Sequence, residues 1–520
     1  MQQGRNQSHL SWTDAAFLYL EREGVPLHIG AVNLLEGVVS LADCIRLVES
    51  KLPLVPRYRQ RVVAPPFKIG LPTWEFDPDF DIRNHIWEVT AKHGTDAEFK
   101  TIAGEILGTL MDRQRPLWDI VLVRGLKGDR TGFIARVHHC LADGMAGTGL
   151  MNVILDASPA VPALAKKPRR FRVPPPADPL TSLLDGWVNS YDNVIKQVLK
   201  AQSDALNIAE TIVNGGWTVP MDKLARLLPE LARPTEALHF NVTCRGPQKF
   251  AWAKIPLADI KAIKDAQKCS VNDVALALVT STIRLYAALH GNRIKGRLLR
   301  IMVPVNLRSN GNTGELGNVV SMIPVAIPLD IRNPRTLLAA VHERMEFLKS
   351  AHVAELVSLT SVLPGILPSP LQALAGPIAS QLPTPFNLVC TNVPGPQFPL
   401  YLMGHRMLTW YPYVPISSDT AVNCAIVSYD GTLYFGFTGD AHAAPDLARL
   451  EKFLKSSAEE LGKAAGVRPS PKQRVRPEVR TAAVPLVAPT ETNRSTPVPA
   501  VHSGAGLSPK QRKEVLTKVA

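Results

Sequence analysis

The chain has 520 residues, 46% of them hydrophobic, and carries 58 Lys and Arg against 45 Asp and Glu, a formal charge of +13 at pH 7. That length exceeds one ordinary core, so two domains or subdomains are expected, and the apolar content excludes a chain disordered throughout. The positive charge suggests attraction to something anionic, yet about half of the excess falls in the last fifty or so residues.

From the N-terminus, the polar stretch Met1 to Ser11 has no apolar segment of the kind a secretory signal needs. Asp14 to Glu21 reads as a short helix, Leu27 to Leu35 as a strand, and Leu41 to Leu52 as an amphipathic helix with Leu41, Ile45, Val48 and Leu52 on one face. Phe80 to Val89 is a further expected strand and Phe99 to Met111 a helix. Trp118 to Val123 is expected to pair with Thr131 to Val137 through the polar turn Lys127-Gly128-Asp129. This alternation implies a sheet covered by helices on one face.

That hairpin leads into the most informative stretch, Val137-His138-His139-Cys140-Leu141-Ala142-Asp143-Gly144. Phe133, Ala135 and Val137 keep the two-residue period of a strand, and neighbouring strand side chains point to opposite faces. His138 and His139 therefore cannot both face one cavity: one is the working imidazole and the other structural. An imidazole can take the proton of a hydroxyl as that oxygen attacks an acyl carbon and return it to the leaving group. Asp143 orients an imidazole directly or pairs with an arginine, while Gly144 supplies the turn that opens a small-residue helix from Met145 to Leu155. Adjacent histidines diverge rather than chelate, and neither H-E-x-x-H nor C-x-x-C occurs, so no metal site is expected. The six cysteines are scattered free thiols, and Cys140 reads as a small buried thiol rather than a nucleophile.

Pro162 to Pro179 embeds Lys166, Lys167, Arg169, Arg170 and Arg172 among prolines, the composition of a stiff exposed connector. Its basic cluster suits anionic lipid headgroups, the phosphates of another ligand, or plain solvation. Leu180 to Leu231 reads as largely helical. The second half then offers strands at Leu238 to Val242, Lys249 to Ile255, Leu299 to Asn306, Val319 to Leu329, Phe386 to Asn392, Ala421 to Ser428 and Thr432 to Thr438. Helices are expected at Leu257 to Gln267, Val271 to Leu289 and Pro445 to Leu461, the second opened by a capping box of Ser270 and Asp273. Leu356 to His405 lacks Asp, Glu, Lys and Arg, but its prolines keep it from spanning a bilayer. It suits the lining of an alkyl tunnel, a surface resting on lipid, or a buried inter-domain segment. Beyond Ala465 the Pro-, Ala- and Arg-rich sequence cannot bury a core and reads as a disordered basic tail.

The stretch His138-His139-Cys140-Leu141-Ala142-Asp143-Gly144 matches H-H-x-x-x-D-G, and so resembles the CoA-dependent acyltransferase superfamily of chloramphenicol acetyltransferase and peptide-synthesis condensation domains. More narrowly, the chain resembles bacterial wax ester synthase/acyl-CoA:diacylglycerol acyltransferases. Trp12-Thr13-Asp14-Ala15 with Phe17-Leu18-Tyr19, Pro116-Leu117-Trp118, Val271-Asn272-Asp273-Val274, Gly317-Asn318-Val319-Val320-Ser321, Thr391-Asn392-Val393-Pro394-Gly395-Pro396 and Ser428-Tyr429-Asp430-Gly431 carry that likeness in order.

The resemblance implies an α/β (α+β) fold of two chloramphenicol-acetyltransferase-like subdomains whose mixed sheets meet at a central substrate tunnel. The corresponding division is 1–160 and 236–465 for the subdomains, 161–235 for the connector and 466–520 for the tail. It implies His139, His138 and Asp143 as the catalytic residues, with His139 the general base, Asp143 paired with an arginine for which Arg308 is the candidate, and Gly144 in support at the turn. Asn272 and Asp273 are implied as supporting residues, Asn272 as a candidate oxyanion donor, and Pro116, Leu117 and Trp118 as substrate-binding. The reaction implied is transfer of a long-chain acyl group from acyl-CoA, a co-substrate with no further cofactor, to diacylglycerol or a long-chain alcohol. The enzyme would be cytoplasmic, in peripheral contact with the inner membrane or lipid bodies, with no nucleic-acid partner and an oligomeric state that the sequence leaves open. The rival readings are an amide-forming condensation enzyme, a weakly catalytic lipid-binding surface protein, and a nucleic-acid binder drawn by the basic tail.

Overall fold

A computed structural model describes residues 10–64, 71–141, 149–161, 234–306, 320–351, 353, 384–417 and 419–467, all in the first of two units, 1–468 and 469–520, into which the chain divides. The expected connector, the helical segment after it, the tail and most of the uncharged stretch lie outside the described residues.

The chain enters through helix α1 (Trp12–Leu20), whose start is fixed by the Ser11 hydroxyl accepting the Asp14 N–H at 3.1 Å. Strand β1 (His28–Glu36) follows, then α2 (Leu41–Lys51), capped by Ser40 and burying Cys44, Leu47 and Val48. A small hairpin of β2 (Gln60–Val63) and β3 (Thr73–Phe76) leads to β4 (Ile86–Thr90). The strand expected from Phe80 is shorter because Asp81 accepts the Arg83 N–H and closes a 3-10 turn at Ile82–Asn84 instead. Helix α3 (Asp96–Gly108) is capped by Thr95. Next come β5 (Trp118–Leu126) and β6 (Arg130–His138), which pair antiparallel around the predicted turn with Trp118 opposite Val137. Asp129 and Gly128 take the left-handed backbone there, at φ of 48° and 83°. Helix α4 (Gly149–Ile154) lies within the helix expected after the histidines, and the Tyr58 hydroxyl accepts its Leu150 N–H at 3.4 Å.

In the second half β7 (Gln248–Pro256), α5 (Leu257–Gln267) and α6 (Val271–Leu289) lie where periodicity puts them. The capping box is present: the Ser270 hydroxyl accepts the Asp273 N–H at 3.1 Å and Asp273 accepts the Ser270 N–H at 2.9 Å. The stretch 238–242 is a turn rather than a strand, although Leu238 and Phe240 are buried; the Asn241 side chain ties its backbone to Leu238, Asn387 and Asp419 in place of a ladder. Then follow β8 (Leu298–Asn306), β9 (Val320–Pro328), α7 (Pro334–Ser350), β10 (Leu388–Pro394), β11 (Tyr401–Leu402), β12 (His405–Tyr413), β13 (Val422–Tyr429), β14 (Thr432–Asp440) and α8 (Arg449–Ala464).

Two six-stranded mixed sheets result, ordered β11-β12-β1-β6-β5-β4 and β7-β14-β13-β10-β8-β9. Each combines antiparallel neighbours with parallel ones, β4 with β5 in the first and β10 with β8 and β13 in the second. The second sheet packs with α5, α6, α7 and α8 around one apolar core. The first sheet's core extends into the second sheet through Phe250, Trp252, Val427, Tyr429 and Tyr434.

Two strands from the second half of the sequence join the first sheet, the short β11 at its edge and β12, which pairs antiparallel with β1. Its Tyr413 hydroxyl donates to Gln248 of β7 at 2.6 Å, and its Tyr411 ring stacks on Trp252 at 4.7 Å. At Gly436 of β14 an added Cβ would lie 1.8 Å from the Pro412 carbonyl oxygen, so glycine is what lets the two sheets approach this closely.

Candidate active site

Strand β6 ends on the first histidine. Its last backbone N–H, that of His138, donates to the Leu117 carbonyl at 2.9 Å, and the next, that of His139, donates to the Leu27 carbonyl at 2.9 Å. Arg136, two residues earlier, is buried against Asp119 of β5 at 2.7 Å and donates to the Thr109 carbonyl at 2.6 Å, which fixes the strand end to α3's exit.

The two rings diverge as the strand period requires. His138 is fully buried. Its Nδ1 accepts the Cys140 N–H at 3.2 Å and lies 3.0 Å from the Cys140 sulfur, so in the neutral ring the proton sits on Nε2. That nitrogen is 3.3 Å from Glu21 Oε1. Glu21 caps the C-terminal end of α1 and is itself buried, with Oε1 accepting the Leu27 N–H at 3.0 Å and Oε2 bonded by Arg113 at 2.9 Å. Burial would raise its carboxyl, but His138, the Leu27 N–H and Arg113 outweigh that and hold it down at about 2.

His139 turns the other way and is partly open to solvent. The Phe17 ring lies flat against it, centroids 3.8 Å apart and planes 10° from parallel. Desolvation brings its pKa down to about 4; the hydrogen bond from the ring to its own carbonyl works in the opposite sense, and His138 lowers it further. His139 is therefore neutral at pH 7. A neutral imidazole keeps a lone pair on one of its two nitrogens, the form a general base needs.

Phe17 and Glu21 are four residues apart, so they share one face of α1 and contact the two histidines one each. Phe17 also packs against a small cluster of Val25, Leu27, Cys244, Ile416 and Ala421, which draws on both halves of the chain. His139 thus sits where the halves meet. Sequence reasoning used Phe17 only as a mark of resemblance and gave Glu21 no role. The available signal was their spacing on a helix that ends seven residues before β1.

The remaining expected site residues are placed as follows. Leu117 and Trp118, expected to touch substrate, are buried in the core of the first sheet. Trp118 donates from its indole to the Tyr58 carbonyl at 2.7 Å and stacks on His85 at 4.7 Å, and the Leu117 carbonyl holds the end of β6. Pro116 starts the bend into β5 by accepting the Trp118 N–H. The contacts of Asn272 and Asp273 do not lead to the histidines: Asn272 accepts from the Asn392 amide at 3.1 Å, and Asp273 binds His342 at 2.8 Å in addition to its capping bonds. Asp143, Gly144 and Arg308 lie outside the described residues. Burial pushes the Cys140 thiol far above its ordinary range, which removes it as a nucleophile at neutral pH. Among the described residues no group of three or more His, Cys, Asp and Glu could hold a metal ion, and no helix is long and apolar enough to cross a membrane.

Comparison with known proteins agrees with this architecture. Residues 10–275 match the wax ester synthase/diacylglycerol acyltransferase catalytic domain, and residues 316–462 match the C-terminal domain of the same enzymes. The probable diacylglycerol O-acyltransferase tgs1 of Mycobacterium tuberculosis is 29% identical over 461 residues, covering 87% of this chain and 96% of its own. The probable diacylglycerol O-acyltransferase tgs2 of that organism is 29% identical over 469 residues, with 87% and 98% covered. Among solved structures, the wax ester synthase/diacylglycerol acyltransferase of Marinobacter aquaeolei VT8 superposes with a TM-score of 0.61 at 22% identity, over 88% of this chain and all of that one. The first condensation domain of the CDA synthetase superposes at 0.51 with 14% identity, over 88% and 96%. At these identities the structural likenesses establish the fold.

Proposed function

Because the chain belongs to the wax ester synthase/diacylglycerol acyltransferase family and is an acyl-CoA-dependent O-acyltransferase, we propose that it esterifies diacylglycerol or a long-chain alcohol, with His139 as the general base. The observation that carries the residue assignment is the state of that ring: neutral at pH 7, flat against Phe17 and at the meeting of the two halves.

In this mechanism the free nitrogen of His139 takes the proton of the acceptor hydroxyl as its oxygen attacks the thioester carbonyl. The tetrahedral intermediate collapses with cleavage of the carbon–sulfur bond, and the imidazolium returns the proton to the departing CoA sulfur. His138 does not exchange protons with substrate: its ring is enclosed by Glu21 and Cys140 and serves to hold the turn. The proximity of the apolar cluster on which Phe17 packs supports a water-poor approach for alkyl chains, in keeping with a tunnel between the halves, and so favours acyl transfer to an alcohol over hydrolysis. Asp143, paired with Arg308, would fix the loop after the histidines. Docking would be peripheral, on the inner membrane or lipid bodies, with the basic excess drawn to anionic headgroups.

The test is CoA release from palmitoyl-CoA with identification of the ester formed, for wild type and His139→Ala, with diacylglycerol and hexadecanol offered separately. Loss of the base lowers the rate about 100- to 10,000-fold, and the better acceptor identifies the physiological branch. Undiminished ester formation by folded His139→Ala overturns the assignment of the base.

A further inference from the structure

The contact least explained by the acyltransfer chemistry is the one between Phe17 and His139. A phenyl ring at 3.8 Å and nearly parallel covers one whole face of the imidazole. It is delivered by a short helix held at both ends: just before its start the Leu10 N–H donates to the Pro72 carbonyl at 2.9 Å, and Glu21 at the other end is buried against Leu27, Arg113 and His138. The helix therefore cannot slide or roll without breaking a buried carboxylate's partners, so the phenyl ring is a fixed surface rather than an adaptable neighbour.

We propose that Phe17 is a positioning residue for the transfer reaction: its ring sets the plane of the His139 imidazole and keeps water off that face, so that the free nitrogen meets the acceptor hydroxyl in one orientation. The inference rests on His139 being the base. Rotation about the bond to the ring would sweep the reacting nitrogen through an arc, and a parallel plate 3.8 Å away removes that freedom. Among the described residues the charged group that acts on the His139 ring is His138; Asp14 of α1, Glu21 just after it and Arg113 after α3 act on the neighbouring Cys140, and His28 of β1 acts with Glu21 and Arg136 around His138. Cys244, before β7, shares the apolar cluster beneath Phe17. A ring face also attracts an imidazolium, but burial is the leading cause of the low basicity of His139, so removing the plate exposes the ring to water and raises its pKa.

The experiment compares Phe17→Ala, Phe17→Leu and Phe17→Tyr with wild type and His139→Ala, measuring kcat and KM for palmitoyl-CoA and hexadecanol across pH. Phe17→Ala is expected to lose about 10- to 100-fold in kcat with KM changed less than about threefold. The acid limb of its kcat/KM profile should move up by about one pH unit. Phe17→Tyr, which keeps a flat ring, retains near-normal kcat, whereas Phe17→Leu, which fills the volume without a plane, resembles Phe17→Ala. Should Phe17→Ala fail to fold, the Leu and Tyr variants decide by themselves. Full activity in Phe17→Leu, or losses confined to melting temperature with an unmoved acid limb, overturns the inference and leaves Phe17 as packing. Retained activity in His139→Ala instead overturns the assignment of the base, and the two failures are told apart by that variant.

Discussion

The carboxylate of Glu21 offers a quantitative test of how the histidine pair is held. Glu21→Gln keeps the side chain's shape and an oxygen for the Leu27 N–H, but removes the charge that faces His138 at 3.3 Å and Arg113 at 2.9 Å. The carboxyl's pKa falls from 4.5 to about 2 in the folded protein, and at about 1.4 kcal/mol per unit this sets a ceiling of about 3 to 4 kcal/mol on the stabilisation. Arg113 is 46% exposed, so its share is screened, and about 2 kcal/mol is the expected loss at pH 7. The sign follows from the depressed folded value: the contribution is complete above pH 4.5 and disappears as pH falls toward 2. Urea unfolding of wild type, Glu21→Gln, His138→Gln and the double variant at pH 7 closes a cycle, with an expected coupling of about 1 to 2 kcal/mol. Strict additivity, within about 0.3 kcal/mol, would refute the claim that these two buried groups hold one another.

Three further outcomes follow from the same geometry. Gly436→Ala places a methyl 1.8 Å from the Pro412 carbonyl oxygen, and forcing the sheets apart there is expected to cost about 1 to 3 kcal/mol, read as a lowered melting temperature; an unchanged melting temperature would show that the sheets are not in close contact. Because burial raises the Cys140 thiol far above its usual value, iodoacetamide at pH 7 should leave activity intact and Cys140→Ser should stay within about fivefold of wild type. With His139 at about 4, kcat/KM should be flat from pH 8 to near 5 and fall only below that, whereas an acid limb near the ordinary histidine value would mean that the ring is solvated.

Local order was the legible part of this chain. The turn at Lys127-Gly128-Asp129 and the alternation on either side specify β5 and β6, and Ser270 with Asp273 announces α6, because each depends on neighbours within a few residues. What the sequence concealed was long-range pairing. Strand β12 alternates buried and half-buried residues, but it contains Pro412 and begins with His405 and Arg406, so it reads poorly as an interior strand. Proline is accommodated because β11, the neighbour on its outer side, pairs only with His405 and Arg406, leaving Pro412 unflanked there. The partners of Asp273 were half legible: the capping bond is local, whereas His342 comes from α7, 69 positions away.

The role of α1 was hidden for the same reason, and it explains how adjacent histidines come to do different work. A strand end points consecutive side chains apart, so one of the pair must enter the protein and the other must leave it. Burying an imidazole is costly unless its nitrogens face polar groups; the Cys140 N–H bonds one from the turn, and the Glu21 carboxylate at the end of α1 faces the other at 3.3 Å. Once Glu21 is fixed there, Phe17 is carried by the helical repeat to the opposite ring, one turn earlier. The structural histidine thereby recruits the helix that shapes the surroundings of the working one. Exchanging the demands on the two positions would strand a charged partner beside the reacting ring and leave a buried ring without its acceptor. The order of the two histidines is therefore set by the direction of the strand and the placement of α1 together.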